Sequence, residues 1–236
     1  MSLQWRLRPT DDAIVTDPKT HSVTLKGMAL SNLPIALAAF GNLGMTHVNQ
    51  LTLKSSLGPE ALACYAIAFQ VARIGNLFFS QFGRFYGPRI SQIAMAGKVR
   101  PKFAMRSILS IAGLAFAFSA TLAVTLFFGG RFLIANFLPP SYSPAMNILI
   151  FLCVWCAFFG PANVVGRTVI GLHMKNTYFT CAAVFGLASV LIGMFLIPIL
   201  EGSGAAIALL LGHIGSMFFQ FVMVARKLNH SKTSRV

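Results

Sequence analysis

The chain alternates between long uncharged apolar runs and short polar or charged breaks. Runs of about 20 apolar residues are long enough to cross a bilayer as helices. The first lies between Lys26 and Lys54, with Pro34 marking its first turn or kinking it. The second opens at Ser56-Leu57-Gly58-Pro59, where Pro59 takes the first helical position and its missing N–H leaves no bond unmade. It reads as one helix to Arg89. Gly87-Pro88-Arg89 then begins a basic amphipathic stretch to Arg106, expected to lay Ile90, Ile93 and Phe103 on the membrane surface with its cations among headgroups. The third run fills Arg106 to Arg131, and its Ser and Thr side chains can bond back to their own helix. Gly129-Gly130 and the proline-rich segment Pro139 to Pro144 predict a loop holding a half-buried Phe132–Leu138 segment. Ser143-Pro144 caps a fourth helix that runs to about Arg167. A tight turn over Gly171 to Asn176 leads to a fifth span ending at Pro198. Glu201-Gly202-Ser203 turns into a sixth, Gly204 to Ala225. The pattern predicts an all-α integral membrane protein of six transmembrane helices over residues 26–228. A cytosolic lead-in, 1–25, without a signal-peptide h-region precedes it, and a basic cytosolic tail, 229–236, follows.

Polar residues inside these runs fall in stripes. Gln70, Arg73, Leu77, Gln81 and Arg84 are spaced 3, 4, 4 and 3 apart, one face of a helix. At ~1.5 Å per residue, Arg73 lies roughly 20 Å along from Pro59. That is near mid-bilayer, where an arginine costs about 2.5–3.5 kcal/mol on insertion scales and faces a bundle interior or a watery cavity. Asn42, Thr46 and Asn49 form a second stripe on the first span. The candidate cavity residues are therefore Arg73, Arg84, Gln70, Gln81, Asn49 and Asn42. Asn163 and Arg167 also share a face, but Arg167 reads as an anchor at the basic side of the membrane. His213, Ser216 and Gln220 make a polar face in which His213 reads as a packing residue. Gly204, Ala208, Gly212 and Ser216 recur every four residues, a small-residue stripe that lets another helix approach.

Composition agrees with the pattern. The 236 residues are 56% hydrophobic and only 10% charged, whereas soluble domains carry about 25%. The net charge of +14 would suit nucleic acid, but the cations sit between spans and not in one patch, so no nucleic-acid partner is expected. Of the 19 Lys and Arg, only Lys54 and Arg131 fall on one side, with Arg73 inside a span; the rest fall on the other. The positive-inside rule then puts both termini in the cytoplasm. Glu60 and Glu201 fall outside, leaving the spans without a carboxylate. Cys153 and Cys156 have no second pair and no nearby histidine, so they read as buried core residues. No metal cluster, cofactor motif or acid–base pair is visible, and an enzyme is not expected.

Four segments carry a resemblance to a known family. Leu57-Gly58-Pro59-Glu60-Ala61 followed by Tyr65-Ala66-Ile67-Ala68 is similar to a signature of polysaccharide flippases of the Wzx type, in the multidrug/oligosaccharidyl-lipid/polysaccharide exporter superfamily. Pro88-Arg89-Ile90-Ser91, Gly166-Arg167 through Gly171-Leu172-His173, and Gly202-Ser203-Gly204-Ala205-Ala206-Ile207-Ala208 resemble further motifs in the same order. The family has two similar lobes around a central cavity, and the match is to the second. The resemblance implies one lobe of a two-lobe flippase in a bacterial inner membrane. Its cargo would be polyprenyl-pyrophosphate-linked oligosaccharide for cell-surface polysaccharide or O-antigen, passing a cationic cavity. It also implies association with a first-lobe polypeptide or, alternatively, with itself. Two other readings stand beside it: a non-transporting membrane subunit or truncated remnant, and half of a cation-coupled multidrug exporter.

The topology has a direct test. Single cysteines at Ser56 and Ser141 should react with an impermeant thiol reagent applied outside intact cells, and those at Gly97 and Ser231 should not. Labelling of Gly97 from outside would refute the six-span arrangement.

Overall fold

A computed structural model describes residues 25–97 and 101–233, with backbone course alone for 25–29, 31, 82, 84 and 230–233. The lead-in before residue 25, the cations Lys98 and Arg100, and the last three residues lie outside the described residues. Among those described, the elements are helical and none is a strand. They are α1 (Leu25–Ala96), α2 (Pro101–Phe137), a short 3-10 turn (Pro140–Tyr142), α3 (Pro144–Ala157), α4 (Phe159–Gly171) and α5 (Lys175–Thr233). Four helical segments are long and apolar enough to cross a membrane, as suits a multi-pass membrane protein. The described residues from Leu33 onward form one compact unit; residues 25–32, the opening turns of α1, belong to another.

Two helices are broken at single residues. α1 has 72 residues, about 108 Å at 1.5 Å per residue, far beyond a hydrocarbon core of about 30 Å. It is interrupted at Gly58, with φ 87° and ψ −178°, a region essentially reserved for glycine. Pro59 is the first helical residue after it. α5 is interrupted at Glu201, with φ 53° and ψ −133°. Each helix therefore has two arms: 25–57 and 59–96 in α1, 175–200 and 202–233 in α5. The first arm of α5 passes through Pro198 before it ends.

Three boundaries differ from the sequence expectation. The second arm of α1 continues through Pro88 to Ala96. Ile90 does not lie on a membrane surface there; it is 1% exposed and packs with Ala94, Ile108, Val169 and Leu228, while Phe103 is exposed. α2 does not stop at Gly129-Gly130 but runs on to Phe137. Gly130 serves an approach and not a turn: a Cβ there would stand 2.8 Å from Val71 Cγ1 and 2.9 Å from Leu149 Cδ2. The fourth apolar run is two helices, α3 and α4, separated at Phe158.

The physical cause of that separation is Pro161. It has no N–H to give the carbonyl of Ala157, four residues back. Fully buried Ser119 on α2 points its hydroxyl at that carbonyl, as well as at Ala115 O, 2.8 Å away, on its own helix. Gly160 makes the contact possible, because a Cβ there would collide with Ala115 O and reach within 2.9 Å of Ser119 Oγ. α4 ends in a left-handed cap. Met174 N–H donates to Val169 O and His173 N–H to Ile170 O, both at 3.0 Å, with His173 at φ 57° where glycine is usual. Lys227 Nζ donates to Leu172 O at 2.8 Å and ties the second arm of α5 to this cap.

The arms of α5 pack closely where side chains are small. A Cβ on Gly204 would collide with Leu196 O, and one on Gly212 would stand 2.7 Å from Ser189 Cβ and 3.0 Å from Phe185 O. Ala208 is fully buried, and its carbonyl accepts from Ser189 Oγ at 2.9 Å. Gly212→Leu should therefore overpack this contact at about 1–3 kcal/mol or more, while Leu211→Ala, at an exposed position, should be nearly neutral. Yields of monodisperse protein after detergent extraction check this; equal yields would mean the arms do not pack as described.

Candidate functional site

A cavity of about 680 Å³ opens among α1, α3, α4 and α5 within residues 33–236. The first arm of α1 contributes Asn42, Thr46 and His47; the second arm contributes Phe69, Arg73 and Asn76. Trp155 comes from α3, and Phe159, Asn163, Gly166 and Arg167 come from α4. Tyr178, His213, Ser216 and Gln220 come from the two arms of α5. No Asp or Glu is among the described residues that line it.

The six candidates named from sequence are distributed unequally. Arg73 and Asn42 line the cavity. Gln70 and Gln81 are exposed but do not line it. The wall of the second arm is Phe69, Arg73 and Asn76, spaced 4 and 3 apart, so the cavity face is rotated one position from the expected stripe. Asn49 is 1% exposed and sits at a helix contact: its Nδ2 lies 3.4 Å from Ser189 Oγ, and a Cβ on Gly193 would collide with its Oδ1. The Arg84 side chain lies outside the described residues. In the small-residue stripe, Gly204, Ala208 and Gly212 are buried between the arms of α5, whereas Ser216 reaches the cavity.

Several lining residues carried no role in the sequence reading. Arg167, expected as an anchor, stands beside the second arm of α1. A Cβ on Gly87 would be 3.6 Å from Arg167 Nε, and one on Gly83 would be 3.1 Å from Asn163 Oδ1. The glycines at 83 and 87 thus make room for the Asn163–Arg167 pair. The i,i+4 spacing of that pair was its only sequence signal. Asn163 Nδ2 donates to Phe159 O at 3.0 Å and Gln220 Nε2 to Ser216 Oγ at 3.1 Å, so both amides are held by their own helices. Trp155 stacks with Phe69 at 5.7 Å and meets Phe159 edge-on at 4.5 Å, and Phe159 lies 5.1 Å from the His213 ring. Among the described residues, Trp155 Nε1 and His213 Nε2 have no hydrogen-bond partner.

Chemically, two guanidinium groups face one cavity with amides, hydroxyls and aromatic rings and without a counter-carboxylate. That arrangement suits an anion with polar substituents. Among the described residues, no group of three or more His, Cys, Asp or Glu could hold a metal ion. All four described cysteines are free and buried. Comparison with known protein families, with curated proteins and with solved structures finds no match to this chain. The fold and the cavity define it as a helical protein, membrane-compatible by length and composition, with a polar cationic cavity.

The placement of the two asparagines is testable. In a background with the native cysteines replaced, Asn42→Cys should react with a small water-soluble thiol reagent and Asn49→Cys should react at least tenfold more slowly. Equal rates would place Asn49 in the water-filled space.

Proposed function

We propose that the chain is one lobe of a flippase that moves lipid-linked oligosaccharide across a bacterial inner membrane for cell-surface polysaccharide synthesis. In this reading the breaks at Gly58 and Glu201 join membrane-crossing arms, α3 and α4 together make one crossing, and six spans leave both termini in the cytoplasm. The observation that carries the reading is the placement of Arg73 and Arg167 on one cavity with no lining carboxylate. Arginine keeps its charge in proteins, and a cation at membrane depth needs an anion or water. A pyrophosphate linkage supplies the anion, and guanidinium groups can grip two phosphate oxygens at once. The four sequence segments similar to Wzx-type flippases support the same reading. A cation-coupled exporter would need a carboxylate on the path, and the described lining offers none.

The exposed polar groups Gln70, Arg73 and Gln81 lie on the second arm of α1 beside exposed Ile74, Leu77 and Phe78. Lipid does not suit such a mixed face at mid-membrane depth. It fits a first-lobe polypeptide that closes the cavity, with self-association as the other arrangement.

Export in cells that also express a first lobe tests the assignment. Arg73→Ala should abolish export while the protein still inserts, because removing the arginine lowers the insertion cost. Arg73→Lys should retain part of the activity, since a point charge remains and the planar fork is lost. Arg167→Ala should fall at least tenfold. Normal export by Arg73→Met, at unchanged membrane levels, would overturn the anion-site reading.

A further inference from the structure

The cavity has two chemically different kinds of wall. Arg73 and Arg167 present donors only. The second arm of α5 presents His213, Ser216 and Gln220, at positions i, i+3 and i+7 of one face and without a carboxylate or an ammonium. Gln220 is 7% exposed, and its NH₂ group is held by Ser216 Oγ at 3.1 Å. Its Oε1 is thereby left as an acceptor beside Gly166, where a Cβ would stand 3.8 Å from it. Asn163 repeats the device: Nδ2 is held by Phe159 O, and Oδ1 is left over.

Acceptor oxygens repel phosphate, whose ionised oxygens are acceptors too. They call for a ligand that donates, through O–H or N–H. Behind the same wall, Trp155 is 5% exposed with its indole N–H unpaired, and His213 Nε2 is unpaired beside it. A buried group left without a partner costs about 1–3 kcal/mol. The amide oxygens on the cavity wall need donors. A sugar ring supplies them, because each of its hydroxyls donates once. The cavity volume lies within the range of about 300–1,000 Å³ typical of small-molecule sites, enough for a pyrophosphate and its adjoining sugar.

We propose that Gln220 and Asn163, with His213 and Trp155 behind them, form a subsite for the sugar ring next to the pyrophosphate, adjoining the arginines that hold the phosphates. The amide oxygens accept from ring hydroxyls or an acetamido N–H, with the Trp155 and His213 rings packed behind them. This rests on the flippase reading of the cavity and adds to it a determinant that reads the glycan.

Two probes separate the claims: citronellyl pyrophosphate, and the same molecule carrying one N-acetylglucosamine on its terminal phosphate. Equilibrium binding of each, radiolabelled, is measured to the full chain in lipid nanodiscs. The sugar-bearing probe should bind about tenfold tighter, a difference of about 1.4 kcal/mol. Gln220→Met should remove most of that advantage while holding the sugar-free probe within about twofold. The chain has only two tryptophans, Trp5 and Trp155, so in Trp5→Phe the emission reports the subsite. It should shift with the sugar-bearing probe and not with the sugar-free one. Equal affinity for both probes in the unmodified chain overturns the subsite and leaves the anion site standing. Binding of neither probe overturns the flippase reading and the subsite with it. The comparison of probes on the unmodified chain decides the matter even where a variant fails to fold.

Discussion

The missing N–H of Pro161 is the constraint on which the site depends. In an apolar surrounding, a backbone carbonyl without a donor is expensive. The Ala157 carbonyl loses its intrahelical donor to this proline, and Ser119 of α2 supplies one from outside. That single contact fixes three things. It requires glycine at 160, where the α2 backbone comes within contact of α4. It holds the junction that Pro161 imposes, where α3 ends and α4 starts at Phe159. It thereby sets the position of the residues α4 carries to the cavity: Phe159, Asn163, Gly166 and Arg167. A continuous helix from Pro144 would present a different set.

Glycine explains much of what was and was not legible in the sequence. Gly58-Pro59 sits at a break that turn chemistry announces in advance, in a glycine-only backbone region. Gly129-Gly130 carries the same signal but lies inside α2, because Gly130 is there to admit Val71 and Leu149. A glycine that frees the backbone and one that admits a neighbour look alike in one dimension. Only the second arm of α1 and α3, distant in sequence, tell them apart.

The polar residues follow a similar rule. Periodicity located the helix face of Arg73 but centred it one position away, on Gln70 and Gln81 instead of Phe69 and Asn76. A stripe chosen by polarity alone overlooks Phe69, which lines the cavity as an aromatic. Asn49 is polar at the right spacing but meets Ser189 at a helix contact. Arg167 was hidden by the opposite effect. Counting cations assigns every basic residue near a span end to the interface, and the glycines at 83 and 87 that make its room lie more than seventy residues earlier.

The absence of a carboxylate from the described lining shapes how such a cavity can select. Two arginines without a counterion are solvated by water or by whatever anion enters. Any anion therefore competes for them, and in a watery space screening limits the advantage of charge alone. Charge brings a phosphate to the wall but does little to tell one phosphate ester from another. Selectivity has to come from groups that an inorganic anion cannot satisfy, and acceptor oxygens are such groups. Gln220 and Asn163, tethered through their NH₂ groups, present these oxygens close to Arg167. A bare pyrophosphate meets one favourable wall and one unfavourable wall. A pyrophosphate carrying a hydroxylated ring meets two favourable ones, because the ring places donors against the amides while the phosphates keep the guanidinium groups. Discrimination then lies in the pairing of a donor-only wall with an acceptor-bearing one, and neither wall alone would provide it.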